Sequence, residues 1–254
     1  MGSNTIEIIP LPITKDIEPN DNLDSLILRS LKNSDRSLFD RDIIIIAQKI
    51  ISKAEDRVIK LGSVTPSKQS LEIAGRQGKD ARIIELIIRE STSIVKMSRG
   101  IIITETKHGF ICANSGIDQS NIRAGHETAL LLPEAPDRSA QRIRNSIMRK
   151  TKKQIAVIIT DTFGRPFREG QTNVAIGIAG IRPIKSYIGK KDIFGKELRA
   201  TEIAIADEIA SAAELVMGKL ERVPVVIMRG YKYRKSKRCS AYELIRSRKK
   251  DLFR

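Results

Sequence analysis

The chain has 254 residues with 46 lysines and arginines and 30 aspartates and glutamates, which gives a formal net charge of +16 and a pI near 10. A hydrophobic fraction of 41% supports a globular core and excludes a chain that is disordered by composition. Its longest aliphatic runs fall short of the roughly 18 apolar residues that cross a bilayer, so we expect no membrane helix. The positive charge favours anionic partners, such as nucleic acid, a nucleotide or an acidic small molecule.

The N-terminal residues and the cysteines indicate a cellular compartment. Residues 1–12 have no basic region ahead of an apolar stretch, so we expect no signal peptide. Cys112 and Cys239 are too few for a disulfide framework or a four-cysteine zinc site, and Cys112 lies in an apolar segment typical of a core residue. We therefore expect a cytoplasmic protein.

The hydrophobic pattern predicts strands and helices in an irregular order. In the first half we predict a strand at 6–11, a helix at 23–31 capped by Asp21 or Asn22, a strand at 42–46, two helices separated by a Gly75/Gly78 break, and strands at 101–104 and 110–113. In the second half we predict a helix at 139–150, strands at 154–160 and 174–181, a helix at 206–217, a strand at 223–228 and a helix at 240–248. Because strands and helices do not alternate strictly, we expect an α+β fold with mixed sheets and flanking helices.

Polar residues follow apolar strands at two places. The first is the segment 113–121, which contains Asp118, and the second is 158–165 with its continuation 168–172, which contains Asp161. We expect loops at both places, because functional side chains often lie on loops held by a rigid scaffold. An aspartate flanked by hydroxyl groups suits Mg²⁺ or Mn²⁺, although a lone aspartate of this kind is more often a turn or cap residue.

The sequence lacks the usual phosphate-binding loops. Segment 189–197 has two glycines with five residues between them, where the P-loop has four, and its lysine lacks the following hydroxyl residue, so it misses the P-loop pattern. The glycines of segment 177–180 do not form a dinucleotide-binding fingerprint either. A bound nucleotide would therefore need another arrangement.

Six stretches of the chain carry long motifs. They are LPIT (11–14), QKIISKAEDRV (48–58), ETKHGFICANSGIDQSN (105–121), LLLPEAPDRSA (130–140), ITDTFGRPFREGQTNVAIGIAG (159–180) and ATEIAIADEIASAAELVMGKLERVPVVIMRG (200–230). Over most of residues 6–230, in this order, the chain resembles the coenzyme F420-0:L-glutamate ligases, also called F420:γ-glutamyl ligases. The segment LIRSRKKDLF (244–253) is similar to the end of the ligase domain in two-domain bacterial relatives, and we expect this chain to lack their C-terminal flavin-reductase-like domain.

This resemblance implies a fold and an activity. The fold would be the distinctive F420:γ-glutamyl ligase fold. Residues 1–254 would form a single ligase domain, which can consist of two subdomains, and two chains would form an intertwined homodimer. The activity would join L-glutamate to the deazaflavin precursor F420-0 through an amide bond and then add a second glutamate through a γ-linkage. GTP would drive the reaction through an acyl phosphate, assisted by a divalent metal, Mg²⁺ or Mn²⁺, and by K⁺.

The resemblance also assigns residues to the site. Asp118, Asp161 and Thr162 match metal ligands. The positions that match GTP or cofactor contacts are Leu11, Pro12, Ile13, Thr14, Gln48, Lys49, Lys53, Asn121, Met217, Gly218 and Lys219. No residue is assigned the role of general base.

One position departs from the family pattern. Some relatives have an MGE sequence whose glutamate completes the metal shell, whereas this chain has a lysine at that position, Lys219. A protonated lysine cannot coordinate a cation. The bacterial two-domain relatives also have a lysine at this position, so the substitution is compatible with activity. A water, a substrate oxygen or Glu221 is then the candidate third ligand, and we expect Lys219 to contact the GTP phosphates.

Two other functions remain as alternatives. Residues 229–238 interleave tyrosines with arginines and lysines, a pattern typical of proteins that bind single-stranded nucleic acid. The long motifs make nucleic acid the less expected partner, because the polyanions GTP and F420-0 account for the same charge. The second alternative is a ligase of the same family that acts on another acid or amino acid.

Overall fold

The computed structural model describes residues 5–98, 100–120 and 127–252, and it has the mixed α+β content that the sequence predicts. Its strands are β1 (Glu7–Leu11), β2 (Ile43–Ala47), β3 (Val58–Lys60), β4 (Ser91–Ser98), β5 (Ile101–Thr106), β6 (Ile111–Ala113), β7 (Thr128–Leu130), β8 (Ala156–Arg165), β9 (Arg168–Ala179), β10 (Lys185–Ser186), β11 (Glu202–Ile203) and β12 (Val225–Arg229). Its α-helices are α1 (Leu23–Asn33), α2 (Gln48–Ala54), α3 (Lys68–Gln77), α4 (Ala81–Arg89), α5 (Pro136–Thr151) and α6 (Ile205–Met217). No helix in these ranges is long and apolar enough to cross a membrane.

A five-stranded mixed sheet carries the main hydrophobic core. Its strand order is β1-β12-β2-β8-β9, in which β2 and β8 run parallel and the other neighbours run antiparallel. The isoleucines of segment 43–46 are fully buried, because a strand covered on both faces is apolar at successive positions. Helices α2, α5 and α6 pack against these strands. The predicted buried strands at 42–46 and 154–160 are confirmed.

A second group of elements has its own apolar core. Strands β4, β5 and β6 form an antiparallel sheet, and β3 pairs with β7. Helix α4 contributes Ile84 and Ile87 to a cluster that also contains Ile102 and Leu131. The described residues therefore contain two separate apolar cores. The division of the chain into one domain or two subdomains stays a prediction.

The polar segment after residue 160 is a strand, so the predicted loop at this place is wrong. Strand β8 continues to Arg165 and pairs with β9, with Asp161 opposite Val174 and Thr162 opposite Asn173. The register shifts by one residue between Ile159 and Thr160, and such a bulge re-aims the side chains that follow it. Threonine and phenylalanine in this segment favour strand geometry, which explains why the ladder extends beyond the apolar core.

The predicted C-terminal helix at 240–248 is also wrong. Ser240 and Glu243 form a capping box, but the helical turn that they begin covers only Ala241–Leu244 before the chain becomes extended at Ile245. The following residues are mostly basic and offer no apolar face to bury. Short helices need tertiary packing to persist, so this segment forms only single 3-10 turns, here and at Arg248–Lys250.

Around residues 66–98 the structure corrects two details of the prediction. Gly75 lies inside α3, and the break between the helices falls at Gly78, which has a φ of 64° and ends α3 in the left-handed conformation. Strand β4 was not predicted, because its polar and apolar residues do not alternate and most of its side chains are exposed.

Candidate active site

A cavity of about 910 Å³ lies at the end of β2, beside residues 160–162 of β8. Ala47, the last residue of β2, pairs with Thr160 of the parallel strand β8, so Gln48 at the start of α2 and Asp161 of β8 follow at the same level of the sheet. Ligands bind preferentially at the carboxyl ends of parallel strands. Eight of the fourteen residues that the sequence assigned to the site line this cavity, namely Gln48, Lys49, Lys53, Asp161, Thr162, Met217, Gly218 and Lys219.

Asp118 and Lys49 form an ion pair beside the cavity. Asp118 Oδ2 lies 2.6 Å from Lys49 Nζ, and Lys49 also donates to Ser120 Oγ at 2.9 Å. Backbone hydrogen bonds with Leu130 in both directions fix the position of Asp118. Burial alone would raise the pKa of Asp118, but the hydrogen bonds from Lys49 and Ser120 hold that pKa below its usual value. Asp118 is therefore an ionised carboxylate next to the cavity.

Asp161 has a different electrostatic environment. Its half-buried side chain lines the cavity, and burial raises its pKa to about 6. The charge of Asp118 raises this pKa further, whereas the Thr162 amide and the lysines Lys49 and Lys219 lower it. A carboxyl group whose pKa is raised by burial and by a neighbouring carboxylate is suited to share a cation with that neighbour.

Thr162, Asn173, Glu214 and Lys219 form a closed hydrogen-bonded ring on the α6 side of the cavity. Thr162 Oγ1 donates to Asn173 Oδ1 at 2.7 Å, and Asn173 Nδ2 donates to Glu214 Oε2 at 2.8 Å. Lys219 Nζ completes the ring, 2.6 Å from Glu214 Oε1 and 2.8 Å from Thr162 Oγ1. The ring holds these side chains in defined positions beside Asp161.

The start of α2 supplies donors to the opposite wall. Gln48 is only 2% exposed, and Ser52 occupies its Oε1, while its buried Nε2 has no hydrogen-bond partner among the described residues. A buried donor of this kind is costly unless a ligand or water accepts from it. Burial lowers the pKa of the nearby Lys53, and the charge of Lys49 lowers it further. This wall is suited to an anionic ligand with oxygen acceptors.

Several predicted residues lie elsewhere. Segment 11–14 is outside the cavity wall, and its contact with the rim is the Ile13 amide, which donates to the Arg222 carbonyl at 3.4 Å. Residues 16–19 line the cavity instead. Asn121 lies outside the described residues. The roles assigned to segment 11–14 and to Asn121 stay predictions.

Other side chains near the site have structural roles. Glu221, a candidate third metal ligand, turns back to accept from the Leu220 amide at 2.8 Å and does not line the cavity. Cys112 is 7% exposed, as expected of a core residue, and burial raises the pKa of its thiol to about 12.

Asn173 and Glu214 line the cavity although no motif assigned them to the site. Asn173 is 3% exposed in a strand that is otherwise apolar over 174–179, and a buried polar residue at such a position is a usable signal. Glu214 carries no comparable signal, since it is one acid on a helix that already has Asp207 and Glu208.

The described donors fit a divalent metal that also binds substrate. Asp118 and Asp161 supply carboxylate oxygens, the ligands that Mg²⁺ and Mn²⁺ prefer, and Mg²⁺ commonly uses one or two carboxylates together with phosphates and water. Among residues 5–98, 100–120 and 127–252, no group of three or more histidine, cysteine or acidic residues is arranged as a preformed metal site. The arrangement therefore suits an ion that a phosphate ligand helps to hold.

The basic segment 229–238 is partly committed to the fold. Arg229 pairs with the buried Asp42 and lies over the Phe39 ring, and Tyr233 is 6% exposed with Arg41 over its face. A nucleic-acid surface of interleaved tyrosines and cations needs exposed rings for base stacking. The buried ring of Tyr233 is not available for this role.

Comparison with known proteins gives one consistent result. The model of the F420-0:Gamma-glutamyl ligase family matches residues 13–230. The chain is 43% identical, over all of both proteins, to the coenzyme F420:L-glutamate ligase of Methanothermobacter thermautotrophicus. It is 48% identical to the protein of the same name from Methanocaldococcus jannaschii, over 85% of each chain. The chain belongs to the F420-0:gamma-glutamyl ligase family.

Proposed function

We propose that this protein is a ligase of coenzyme F420 biosynthesis that joins L-glutamate to F420-0 through an amide bond, with GTP as the energy source, and then adds a further glutamate through a γ-linkage. The observation that carries the proposal is full-length similarity to relatives named coenzyme F420:L-glutamate ligase. The cavity between the end of β2 and residues 160–162 of β8 supports it, because this cavity combines carboxylates with lysines.

The reaction has to activate a carboxylate, which is a poor electrophile. An oxygen of the F420-0 carboxylate would attack the γ-phosphorus of GTP, which forms an acyl phosphate as the bond to GDP breaks. The glutamate amine would then attack the acyl carbon, lose a proton, and expel phosphate. Phosphoryl transfer of this kind depends mainly on positioning and on neutralising charge.

The described residues provide these functions. Lys49 and Lys53 supply positive charge toward phosphate oxygens, and Gln48 Nε2 is a buried donor for a ligand acceptor. Asp118 and Asp161 would hold the divalent ion, Mg²⁺ or Mn²⁺, which supplies further neutralisation of phosphate charge when bound. K⁺ would assist as a second type of ion.

A mass-spectrometric assay tests the proposal. The protein is incubated with F420-0, L-glutamate, GTP, K⁺ and either Mg²⁺ or Mn²⁺, and parallel reactions omit GTP or replace it with ATP. We expect glutamylated F420-0 only in the complete reaction. Glutamylation at the full rate without any nucleotide would contradict the GTP-dependent mechanism. Glutamylation of another acid in preference to F420-0 would identify that acid as the substrate.

A further inference from the structure

Lys219 holds the oxygens on one side of the proposed metal position. Its ammonium lies 2.6 Å from Glu214 Oε1 and 2.8 Å from Thr162 Oγ1, and Thr162 directly follows Asp161 in β8. Hard oxygen donors of this kind are also those that a divalent ion beside Asp161 would bind. The lysine and a metal ion would therefore require the same ligand atoms.

Both oxygens of the Glu214 carboxylate have a partner in the ring around Lys219. Glu214 Oε2 accepts from Asn173, Oε1 pairs with Lys219, and the Thr162 hydroxyl donates its proton to Asn173. The only cation in this ring is the ammonium of Lys219. A divalent ion that bound Glu214 would lie next to that ammonium and would be repelled by its charge.

The charges at this end of the cavity give the same result. Asp161 and Glu214 face the ammonium group of Lys219, so one net negative charge remains when all three are ionised. Without the charge of Lys219, two net negative charges would remain. At an effective dielectric constant near 20, a unit charge a few Å away is enough to change the affinity for a divalent ion by tenfold or more.

We propose that the ammonium group of Lys219 takes the place of a second divalent ion in this site. This ammonium group holds Thr162 and Glu214 in position. The exchangeable metal then binds through Asp118 and Asp161, and Thr162 is a partner of Lys219 and not a metal ligand. This inference rests on the proposed metal-assisted ligation, and it concerns how many ions the site accepts. A tethered ammonium supplies one positive charge independently of the metal concentration.

Mn²⁺ binding without nucleotide tests this role, with the electron paramagnetic resonance signal of free Mn²⁺ as the readout. We compare the wild type with Lys219→Met, Lys219→Gln and Lys219→Arg. Lys219 is 55% exposed, so these variants are expected to fold, and melting temperatures check this. The matched control is Lys150→Met, which removes another exposed lysine that pairs with an acid, Asp24.

For the wild type we expect about one Mn²⁺ per chain, as two carboxylates can hold. Lys219→Met and Lys219→Gln should bind a second Mn²⁺ at least tenfold more tightly than the wild type does, whereas Lys219→Arg and Lys150→Met should behave as the wild type. Adding Glu214→Gln to Lys219→Met should remove the gain, because the second ion needs that carboxylate.

Unchanged Mn²⁺ binding in both neutral variants would overturn the inference. It would also be overturned if these variants lost affinity for GTP and gained none for Mn²⁺, since Lys219 would then be a phosphate ligand. These outcomes are independent of the proposed function, which fails only if the wild type does not glutamylate F420-0.

Discussion

Burial raises the pKa of Asp161 to about 6, and the charge of Asp118 contributes in the same direction. An aspartate in an unfolded chain titrates near 3.8, so the folded state holds this proton more tightly. The stability that the proton confers is complete below the unfolded pKa and is lost as the pH rises through the folded pKa. The metal-free protein should therefore lose stability between about pH 4 and pH 6.

Asp161→Asn tests this titration, because the amide carries no charge at any pH. In the presence of a chelator, we expect the substitution to raise the free energy of unfolding by about 1–3 kcal/mol above pH 7 and to have no such effect near pH 4. Denaturant unfolding at the two pH values gives the comparison. A gain of equal size at both pH values would show that the effect does not come from ionisation of Asp161.

Asp118→Asn should weaken metal binding and impair turnover with only a small loss of stability. The substitution removes a carboxylate next to Lys49, and such partly exposed ion pairs contribute only about 0.2–1 kcal/mol. We expect at least a tenfold loss of Mn²⁺ affinity and a loss of about a hundredfold in turnover, measured with saturating GTP. If Asp118→Asn turned over as fast as the wild type at limiting metal, Asp118 would not be a metal ligand.

At the scale of secondary structure, Gly218 ends α6 in a conformation that favours glycine. Its φ is 56° and its ψ is −169°, and a Cβ atom there would lie 1.9 Å from Glu221 Oε2. This geometry turns the chain between Met217 and Lys219, two residues of the cavity wall. Strain at such a position costs about 1–3 kcal/mol.

Gly218→Ala should therefore destabilise the protein by about 1–3 kcal/mol and lower its affinity for GTP. The control is Gly75→Ala, a glycine inside α3 where an added Cβ meets nothing within 4 Å. Alanine is favoured over glycine there by about 0.5–1 kcal/mol, so the control should be more stable than the wild type. Thermal unfolding with and without GTP measures both effects, and a Gly218→Ala protein as stable as the wild type would contradict the strain argument.

The elements that the sequence predicts best have strong local signals. The isoleucine run predicts β2, and the predicted cap Asn22 accepts from the Ser25 amide at 3.0 Å at the start of α1. The polar half of the β8–β9 hairpin has no alternation of apolar and polar residues. It forms a strand because it pairs with a partner strand, and not because it buries one face. Polarity alone therefore led to the incorrect loop.

Site residues that meet only through tertiary packing are equally hard to predict from the sequence. Asp118 and Asp161 were identified through long motifs, and the structure brings them into electrostatic contact. The bond between Asn173 and Glu214 joins residues 41 positions apart, and the pair between Lys219 and Thr162 joins residues 57 apart. Contacts at such separations depend on how β9 and α6 pack, so no spacing rule in a single sequence predicts them.

At the scale of the whole molecule, the expected homodimer remains a prediction. Large apolar side chains are exposed near the cavity and on α6, among them Leu215 at 82% and Leu220 at 86% exposure. Contiguous apolar patches are typical of interaction surfaces, and Leu215 and Leu220 lie on either side of Met217, where α6 ends. We expect a second copy of the chain to cover this end of α6.

Leu215→Glu should dissociate that dimer by placing a charge in the interface. Sedimentation equilibrium should give the wild type twice the 28.4 kDa mass of one chain and the variant the mass of a single chain. Leu71→Glu is the control, because Leu71 is an exposed leucine on another helix, α3, at 56% exposure. A wild type that sediments as a single chain at all concentrations would contradict the dimer, and dissociation by the control would contradict the location of the interface.

We propose that this chain uses GTP to join L-glutamate to F420-0 at the cavity between β2, β8 and α6. The most direct test of this claim is one reaction in which the mass of the F420 product and the amount of GDP are measured together, for the wild type and for Asp161→Asn. We predict glutamylated product and GDP in equal amounts with the wild type, and neither above background with the variant. Folded wild-type protein that yields no glutamylated F420-0 with Mg²⁺ or Mn²⁺, or a variant that matches its rate, would contradict the claim.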